Sequence, residues 1–339
     1  MHPGHDQIAP PSPAPEPAAP SRPGRRPAAW AAGLLVAVPS VVTGCRLLGT
    51  DAFTPVPQLL SFLPWLTVPA GLALLLALAA RRRPLAGWAA LVVAVTAWFV
   101  LPYGPDTTTA RGPVAERVRV LTANVEFGQA TEDLVRAVRR ERPRLVYVSE
   151  CDRACVRVLT AALAASHPHR AVVDGEGPTG SVILSAYPLT ARPAIPAAMG
   201  MPGATARIGG RTVQLRLAHP VPPVPYLIHR WKRELRRVAD FAAAHRDGDP
   251  VLLAGDFNAS QDHAAFRSLL DAGRLHDAAR LAGAARTPTW PREARLPPYV
   301  QIDHVLVSDD FRVRAVRFLD LAGTDHRAVL AELDLHAGR

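Results

Sequence analysis

The chain divides by hydropathy pattern near residue 102. Before that point lie three long apolar runs, Trp30–Leu48, Leu59–Ala80 and Leu85–Pro102. Each is near the length of about 20 residues that crosses a bilayer as a helix. From Val118 onward, short apolar runs of strand length alternate with amphipathic stretches. The predicted strands are Val118–Asn124, Leu145–Ser149, Ser181–Leu184, Thr212–Ala218, Val251–Ala254, Ile302–Val307 and Ala328–Leu333. The predicted helices are Thr131–Arg140, Val156–Ala165, Ile228–Ala244 and Ala264–Leu270. This alternation predicts an α/β domain, with sheets covered by helices, long enough to bury a substantial core.

A secretory signal would account for one apolar run but not for three. Buried helices of a water-soluble core would leave Arg81, Arg82 and Arg83 stranded between the second and third. Three transmembrane helices are therefore expected. Arg22, Arg25 and Arg26 precede the first run and Arg81–Arg83 separate the last two, whereas Gly49–Gln58 carries no basic residue. Basic loops stay in the cytoplasm, so this pattern predicts a multi-pass protein of the cell membrane with its amino terminus inside and its carboxy-terminal domain extracytoplasmic. Arg46 fits this least well and would have to snorkel to the interface. The expected organisation is a Pro/Ala-rich disordered cytoplasmic tail (1–27), a membrane domain (28–102), a polar linker (103–114) and the extracytoplasmic domain (115–337).

The net charge of +10 shrinks once the anchor is set aside. Eight of the 39 basic and four of the 29 acidic residues precede Gly112, leaving 31 against 25. Such an excess would suit a polyanionic substrate, but a mildly basic solvated surface is the commoner explanation. Of the three cysteines, Cys45 lies in an apolar run, while Cys151 and Cys155 follow a predicted strand. Outside the cytoplasm that pair could close a local disulfide. No second Cys or His pair accompanies it at the spacing a zinc site requires.

Nearly every predicted strand ends in a residue able to bind metal or phosphate: Asn124, Glu150, His219, Asp256 with Asn258, and Asp303 with His304. Ligand sites of α/β proteins gather at strand ends. The segment Val251-Leu-Leu-Ala-Gly255-Asp256-Phe257-Asn258 is the most specific: a buried strand, a glycine exit, then a carboxylate and a carboxamide. Alone, Asp-x-Asn also serves simple turns.

Its company is Leu121-Thr-Ala-Asn124-Val-Glu126, Val146-Tyr-Val-Ser149-Glu150, Gln301-Ile-Asp303-His304 and Gly323-Thr-Asp325-His326. Together and in this order, over about Arg117–Leu335, these motifs resemble the endonuclease/exonuclease/phosphatase family, which includes deoxyribonuclease I, abasic-site endonucleases, neutral sphingomyelinases and inositol polyphosphate 5-phosphatases. The resemblance implies a DNase I-like four-layer α/β sandwich, two packed mixed sheets flanked by helices. It also implies a metal-dependent hydrolase of phosphate esters using Mg²⁺ or Mn²⁺.

Residue by residue, it implies that Glu150 is the principal metal ligand, with Asn124 beside it, Asp325 near a metal position and Glu126 a further contributor. Asp256 would orient or deprotonate the attacking water and Asn258 would contact the scissile phosphate. His326, oriented by Asp303, would hold the phosphate, and His219 would be a general acid or phosphate ligand. Hard oxygen donors suit these ions, and histidine and amide donors suit the charge that develops on phosphoryl oxygens. Two positions depart from the family pattern: Ser149 stands where Gln is common, and Ala186 where a basic residue often sits.

His219, Asp303 and Glu126 also admit purely structural roles. The basic helix residues Arg230, Lys232, Arg233, Arg236 and Arg237 would track a nucleic acid backbone or form the solvated face opposite Trp231, Glu234, Leu235 and Val238. Three functions compete: a nuclease, a phospholipid or small-molecule phosphodiesterase, and a catalytically inactive extracytoplasmic binding domain. The partners expected are thus a phosphate-ester substrate and the membrane; no protein partner is inferable.

Overall fold

The computed structural model of the chain describes residues 25–293 and 298–338. The expected tail lies outside the described residues as far as Gly24, Arg22 included, and its last three residues already belong to a helix. That helix, α1 (Arg25–Leu47), packs with α3 (Thr67–Ala79) and α4 (Arg83–Val100) into a three-helix bundle.

The second apolar run is not one continuous helix. It begins as the short α2 (Val56–Ser61), tightens into a 3-10 turn over Leu63–Leu66 and only then becomes α3. Pro57 and Pro64 each lack a backbone N–H and take the first turns of separate helical pieces, where none is needed. Among the described residues, two helices, Arg26–Leu47 and Arg83–Val100, have the length and composition to cross a membrane; the middle one, Leu63–Ala79, is shorter.

The remainder runs β1 (Val114–Asn124), α5 (Thr131–Glu141), β2 (Leu145–Ser149), α6 (Arg153–Leu163), β3 (His169–Val173), β4 (Ser181–Ser185), β5 (Leu189–Arg192), β6 (Gly203–Ile208), β7 (Arg211–Leu217) and α7 (Ile228–His245). It continues through β8 (Val251–Asp256), α8 (Ala264–Gly273), β9 (His276–Asp277), α9 (Ala278–Leu281), β10 (Asp303–Val307), β11 (Phe311–Asp320) and β12 (Arg327–His336). Two six-stranded sheets form, in the orders β11-β12-β1-β2-β4-β3 and β5-β6-β7-β8-β10-β9. Each is mixed: β1 and β2 run parallel, as do β7 and β8, and the other neighbours are antiparallel.

The layering follows from alternation within apolar runs. Val118, Val120, Leu145, Tyr147 and Ile183 point from the first sheet toward Leu215, Leu217, Leu252, Ala254 and Val305 of the second. The intervening Leu121, Val146, Val148 and Val182 pack beneath α5 and α6, and Val251, Leu253 and Leu306 beneath α7 and α8. Both faces of each central strand are thus buried, so its sequence reads as a continuous apolar run. The result is four layers: helices, sheet, sheet, helices. On α7, Trp231, Glu234, Leu235 and Val238 are the buried stripe and Arg230, Arg233, Arg236 and Arg237 face outward, so this basic face is the exposed side of an amphipathic helix.

The bundle docks on this sandwich through helix ends. The first two backbone N–H groups of α8 have no capping side chain of their own helix. Asp51, from the loop between α1 and α2, accepts hydrogen bonds from Ala264 N and Ala265 N, both at 2.8 Å. Conversely, the Arg286 guanidinium donates to the carbonyls of Phe99 and Val100 at the end of α4, both at 2.7 Å, and forms a two-pronged pair with buried Asp262 at 2.8 and 2.9 Å. Arg46 approaches the same Asp262 at 3.5 Å and lies over the Phe99 ring. It is therefore part of the docking joint, which explains a charge that the apolar pattern of α1 left unaccounted for.

Capping across elements makes the joint measurable. Replacing Asp51 with Ala removes an N-cap worth about 1 kcal/mol, and the midpoint of thermal unfolding of the detergent-solubilised chain is expected to fall by about 2–4 °C. An unchanged midpoint would show that α8 draws nothing from the bundle.

Candidate active site

Strand pairing alone brings the site together. Asn124 and Ser149 are register partners at the ends of parallel β1 and β2, which leaves Glu150 just beyond the edge. Asp256 at the end of β8 faces Asp303 at the start of antiparallel β10. His219 lies two residues past β7, and Asp325 with His326 immediately precede β12. The two sheets thus deliver their polar ends to one edge of the sandwich. Gly255 permits the closest approach: it adopts φ +151°, and a Cβ there would lie 2.1 Å from the carbonyl oxygen of Ala218.

Several non-glycine residues with left-handed backbone stand at this edge, namely Glu126 (φ 43°), Phe127 (φ 57°), Glu150 (φ 56°) and Asn258 (φ 47°). Such conformations cost about 1 kcal/mol or more each and cluster where a side chain must be aimed. The Glu150 turn is tied down further, because Cys151 and Cys155 form a disulfide and Asp152 caps α6 through Cys155 N. The disulfide that sequence left open is closed here, beside Glu150.

The contacts form one network. The Asn124 amide donates to Glu150 Oε1 at 3.0 Å and to Asp256 Oδ2 at 3.2 Å, while its carbonyl oxygen accepts from Glu126 N. Asp256 Oδ1 accepts from Asn258 N at 2.8 Å. One Asn258 amide hydrogen goes to the Pro220 carbonyl, which leaves the other free to donate. His326 Nδ1 lies 2.9 Å from Asp303 Oδ2, and its Nε2 is 3.8 Å from Asp256 and 3.7 Å from Asp325. His219 is fully buried, with Nε2 3.9 Å from Glu150 and 4.0 Å from Asp256. Neither of its ring nitrogens has a hydrogen-bond partner, and neither does Asp303 Oδ1. Buried polar atoms are rarely left so, and these three lie beside the carboxylates of the cluster.

His304 behaves differently. Its Nδ1 meets Asp277 at 2.8 Å and its Nε2 the Ala259 carbonyl at 3.0 Å, so both nitrogens are used within the fold and its role is structural.

Burial governs the electrostatics. Desolvation raises the Asp256 carboxyl, with Asp303 adding to the rise, and desolvation likewise raises Glu150 against the hydrogen bond from Asn124. Desolvation lowers His219 to about 4, which its carboxylate neighbour Asp256 only partly offsets. His326 suffers the same desolvation, but Asp303 and then Asp256 and Asp325 outweigh it and raise the imidazole to about 10. Two histidines at one site are therefore held in opposite protonation states at neutral pH.

Asp256, Asp303 and His326 bring ligand-type atoms within 4.8 Å of one another. Because His326 Nδ1 is engaged by Asp303 and the ring is held protonated, these three form a hydrogen-bonded Asp303–His326 pair facing the Asp256 carboxylate, not a metal cage. A hard cation fits the oxygen-rich side better, around Glu150, where Glu126 and Asp325 also stand. Burial has pushed Glu150 toward its neutral form, and a cation would reverse that shift.

Some residues that shape the site were not singled out in the sequence. Trp290 Nε1 donates to Asp325 Oδ2 at 2.7 Å, Thr289 Oγ1 accepts from Ile302 N and Asp303 N, and Thr324 Oγ1 joins the Asn124 carbonyl to His326 N. They aim the motif residues from separate loops. The cleft, of ≈ 430 Å³, is lined by Glu126, Glu150, Asp256, Asn258, Asp325 and His326 and, unexpectedly, by Gln58, Ser61 and Phe62 of the bundle.

Residues 121–326 match the Endonuclease/Exonuclease/phosphatase family profile. No curated protein matches the chain in sequence. Among solved structures, D. rerio TDP2 humanized by 14 mutations superposes with a TM-score of 0.53 at 14% identity, covering 64% of this chain and 99% of that one. An endonuclease/exonuclease/phosphatase from Beutenbergia cavernae gives 0.51 at 22% identity over 65% and 72%, and one from Bacteroides vulgatus 0.51 at 15% over 65% and 99%. At these identities the superpositions speak for the fold, two mixed sheets flanked by helices. With the profile spanning more than half of the residues and the strand-end motifs in place, the chain belongs to the endonuclease/exonuclease/phosphatase family.

Proposed function

We propose that the protein is a membrane-anchored, divalent-metal-dependent phosphoesterase that cleaves phosphate esters with an activated water, its catalytic domain extracytoplasmic. The observation that carries this reading is the convergence of Asn124, Glu150, His219, Asp256, Asn258, Asp303, Asp325 and His326 on one cluster, five of them buried, with His219 left unpartnered. A site whose chemistry had decayed into a binding surface would have lost members of such a set.

In this reading Glu150 is the principal residue holding Mg²⁺ or Mn²⁺, with Asp325 and Glu126 alongside and Asn124 orienting the Glu150 and Asp256 carboxylates. The bound ion supplies charge neutralisation at the phosphoryl oxygens. Asp256, with its carboxyl raised by burial, is a better proton acceptor than an exposed aspartate and takes the proton of the attacking water. His326, protonated and fixed by Asp303, donates from Nε2 to a phosphoryl oxygen. His219 is neutral and serves as an uncharged N–H donor to the phosphate, not as a charged acid. The free Asn258 amide hydrogen completes the cradle.

Anchoring is supported by a bundle built inside out. Its interior is small, with Ala32, Ala70, Ala73, Ala77 and Ala89 fully buried, whereas Trp30, Leu34, Val68, Leu75 and Trp98 are each at least 64% exposed. A water-soluble bundle would not expose so much apolar surface, and small residues at helix contacts are what bilayers favour. Arg26 and Arg82 meet at one end of the bundle, away from the sandwich, consistent with a cytoplasmic side. The Cys151–Cys155 disulfide supports an oxidising compartment for the domain.

Three outcomes test this. The purified full chain should hydrolyse bis-p-nitrophenyl phosphate with Mg²⁺ or Mn²⁺ and not with EDTA, and Asp256→Ala should lower kcat by about 100-fold or more; metal-independent turnover, or full activity in the variant, would refute the mechanism. In metal-free protein at pH 7, imidazole ¹⁵N shifts should report His219 neutral and His326 doubly protonated, with His219 taking its proton only as pH falls toward 4 and His326 losing its own only as pH rises toward 10. The same state for both rings would contradict the electrostatic account. Finally, in a Cys45→Ser background, a cysteine placed at Thr108 should react with an impermeant maleimide on intact cells and one at Arg82 should not; the reverse pattern would invert the topology.

A further inference from the structure

The bundle does more than tether: it forms one wall of the catalytic cleft. Gln58 and Ser61 of α2, and Phe62 after it, line the same cavity as Asp256 and His326. Gln58 Nε2 also donates to the Pro223 carbonyl, and His263 Nε2 lies 2.8 Å from the Pro57 carbonyl, so α2 is fixed to the loop that follows His219 and to the start of α8. Trp65 Nε1 donates to the Tyr299 carbonyl at 3.2 Å, next to the cleft residue Val300.

The cleft is accordingly two-sided. One side carries the carboxylates and His326. The other is apolar, from Phe62, Met199, Pro222, Val224, Val300 and Ile302. Its volume of ≈ 430 Å³ suits a small polar group with an apolar attachment and falls within the range of enclosed ligand sites. Among the described residues the lining includes no Lys or Arg. A protein tracking a nucleic acid backbone needs such cations along its groove, and the basic residues of α7 lie on the outward face of that helix, not in the cleft. The apolar side, by contrast, continues into helices whose outer surface is apolar.

Resting on the phosphoesterase reading above, we propose that the substrate is an amphiphile: a phosphodiester lipid whose phosphate sits on the acidic and histidine side and whose first chain segments lie against Phe62 and Met199. Water adds to phosphorus as one P–O ester bond breaks; one water proton passes to Asp256, the leaving alkoxide takes a proton from solvent and Asp256 returns its own to solvent, giving a phosphomonoester and an alcohol. No other reactant is needed.

The test uses the full chain in mixed micelles containing phosphatidylglycerol and phosphatidylcholine, beside their water-soluble deacylated glycerophosphodiesters, a 12-nucleotide single-stranded DNA and bis-p-nitrophenyl phosphate. At least one acylated substrate is expected to be cleaved with kcat/KM tenfold or more above its deacylated counterpart and above the oligonucleotide. Phe62→Asp should reduce that acylated-to-deacylated ratio at least fivefold. Met199→Asp, on the sandwich side of the cleft, should do the same if the Phe62 variant fails to fold. Asp256→Ala should abolish turnover of both members of the pair. Equal rates with and without acyl chains, preference for the oligonucleotide, or hydrolysis of bis-p-nitrophenyl phosphate alone would overturn the amphiphile assignment and leave the phosphoesterase standing. Turnover of none of the six would remove the phosphoesterase reading and this one with it.

Discussion

Burial of the central strands on both faces is the constraint on which the rest of the structure depends. β1, β2, β4, β8 and β10 each send alternate side chains into the sheet-to-sheet core and the others beneath covering helices. Nothing charged can be accommodated along such a strand without a partner. Polar chemistry is therefore confined to where strands begin and end, and the parallel pairings β1–β2 and β7–β8 bring Asn124, Glu150, His219 and Asp256 out at the same edge. The site is a geometric consequence of how the core excludes charge.

That edge then has an electrostatic problem of its own. Glu150, Asp256, Asp303 and Asp325 crowd together, two of them fully buried, against a single protonated imidazole. Asp303 is answered by His326. Glu150 and Asp256 share the neutral amide of Asn124, and the His326 imidazolium, 3.8 Å from Asp256, offsets only part of their burial, so both carboxyls are pushed upward. A fold under selection for stability alone would replace such a pair with apolar side chains. Their retention makes sense if a divalent ion completes the charge balance, and the contrast between neutral His219 and protonated His326 then divides the phosphate cradle into an uncharged and a charged donor.

The same constraint decides how much was legible in the sequence. The strands buried on both faces announced themselves as continuous apolar runs, and the residues following them gave the site, motif by motif. Five strands went unread. β3 and β11 are the edges of one sheet and β5 and β9 the edges of the other, where one flank is open and the apolar run is broken by residues such as Arg312, Arg314 and Arg317. The fifth, β6, is internal but built from Gly203, Ala204, Thr205 and Ala206, too small to give a signal. The aiming groups Thr289 and Trp290 were invisible for another reason: each acts across the fold on a residue that sequence spacing does not connect to it, whereas Thr324 stood within the motif that carries His326. Pro64, which breaks the second apolar run, was visible, and its effect on helical length could have been read from the missing N–H group alone.

The broken run also shapes how the bundle meets the sandwich. Turning the chain through α2 before α3 delivers Phe62 into the cleft, and the joint around Asp262, Arg46, Arg286 and Asp51 fixes its position with charged and capping contacts. Buried ion pairs of this kind add little net stability but penalise any alternative geometry heavily, because separating the partners strands a charge. They are suited to holding one orientation, and the orientation they hold places the catalytic edge of the sandwich beside helices whose outer surface is apolar. The direction from which substrate reaches Asp256 is thereby set by the bundle as much as by the catalytic domain.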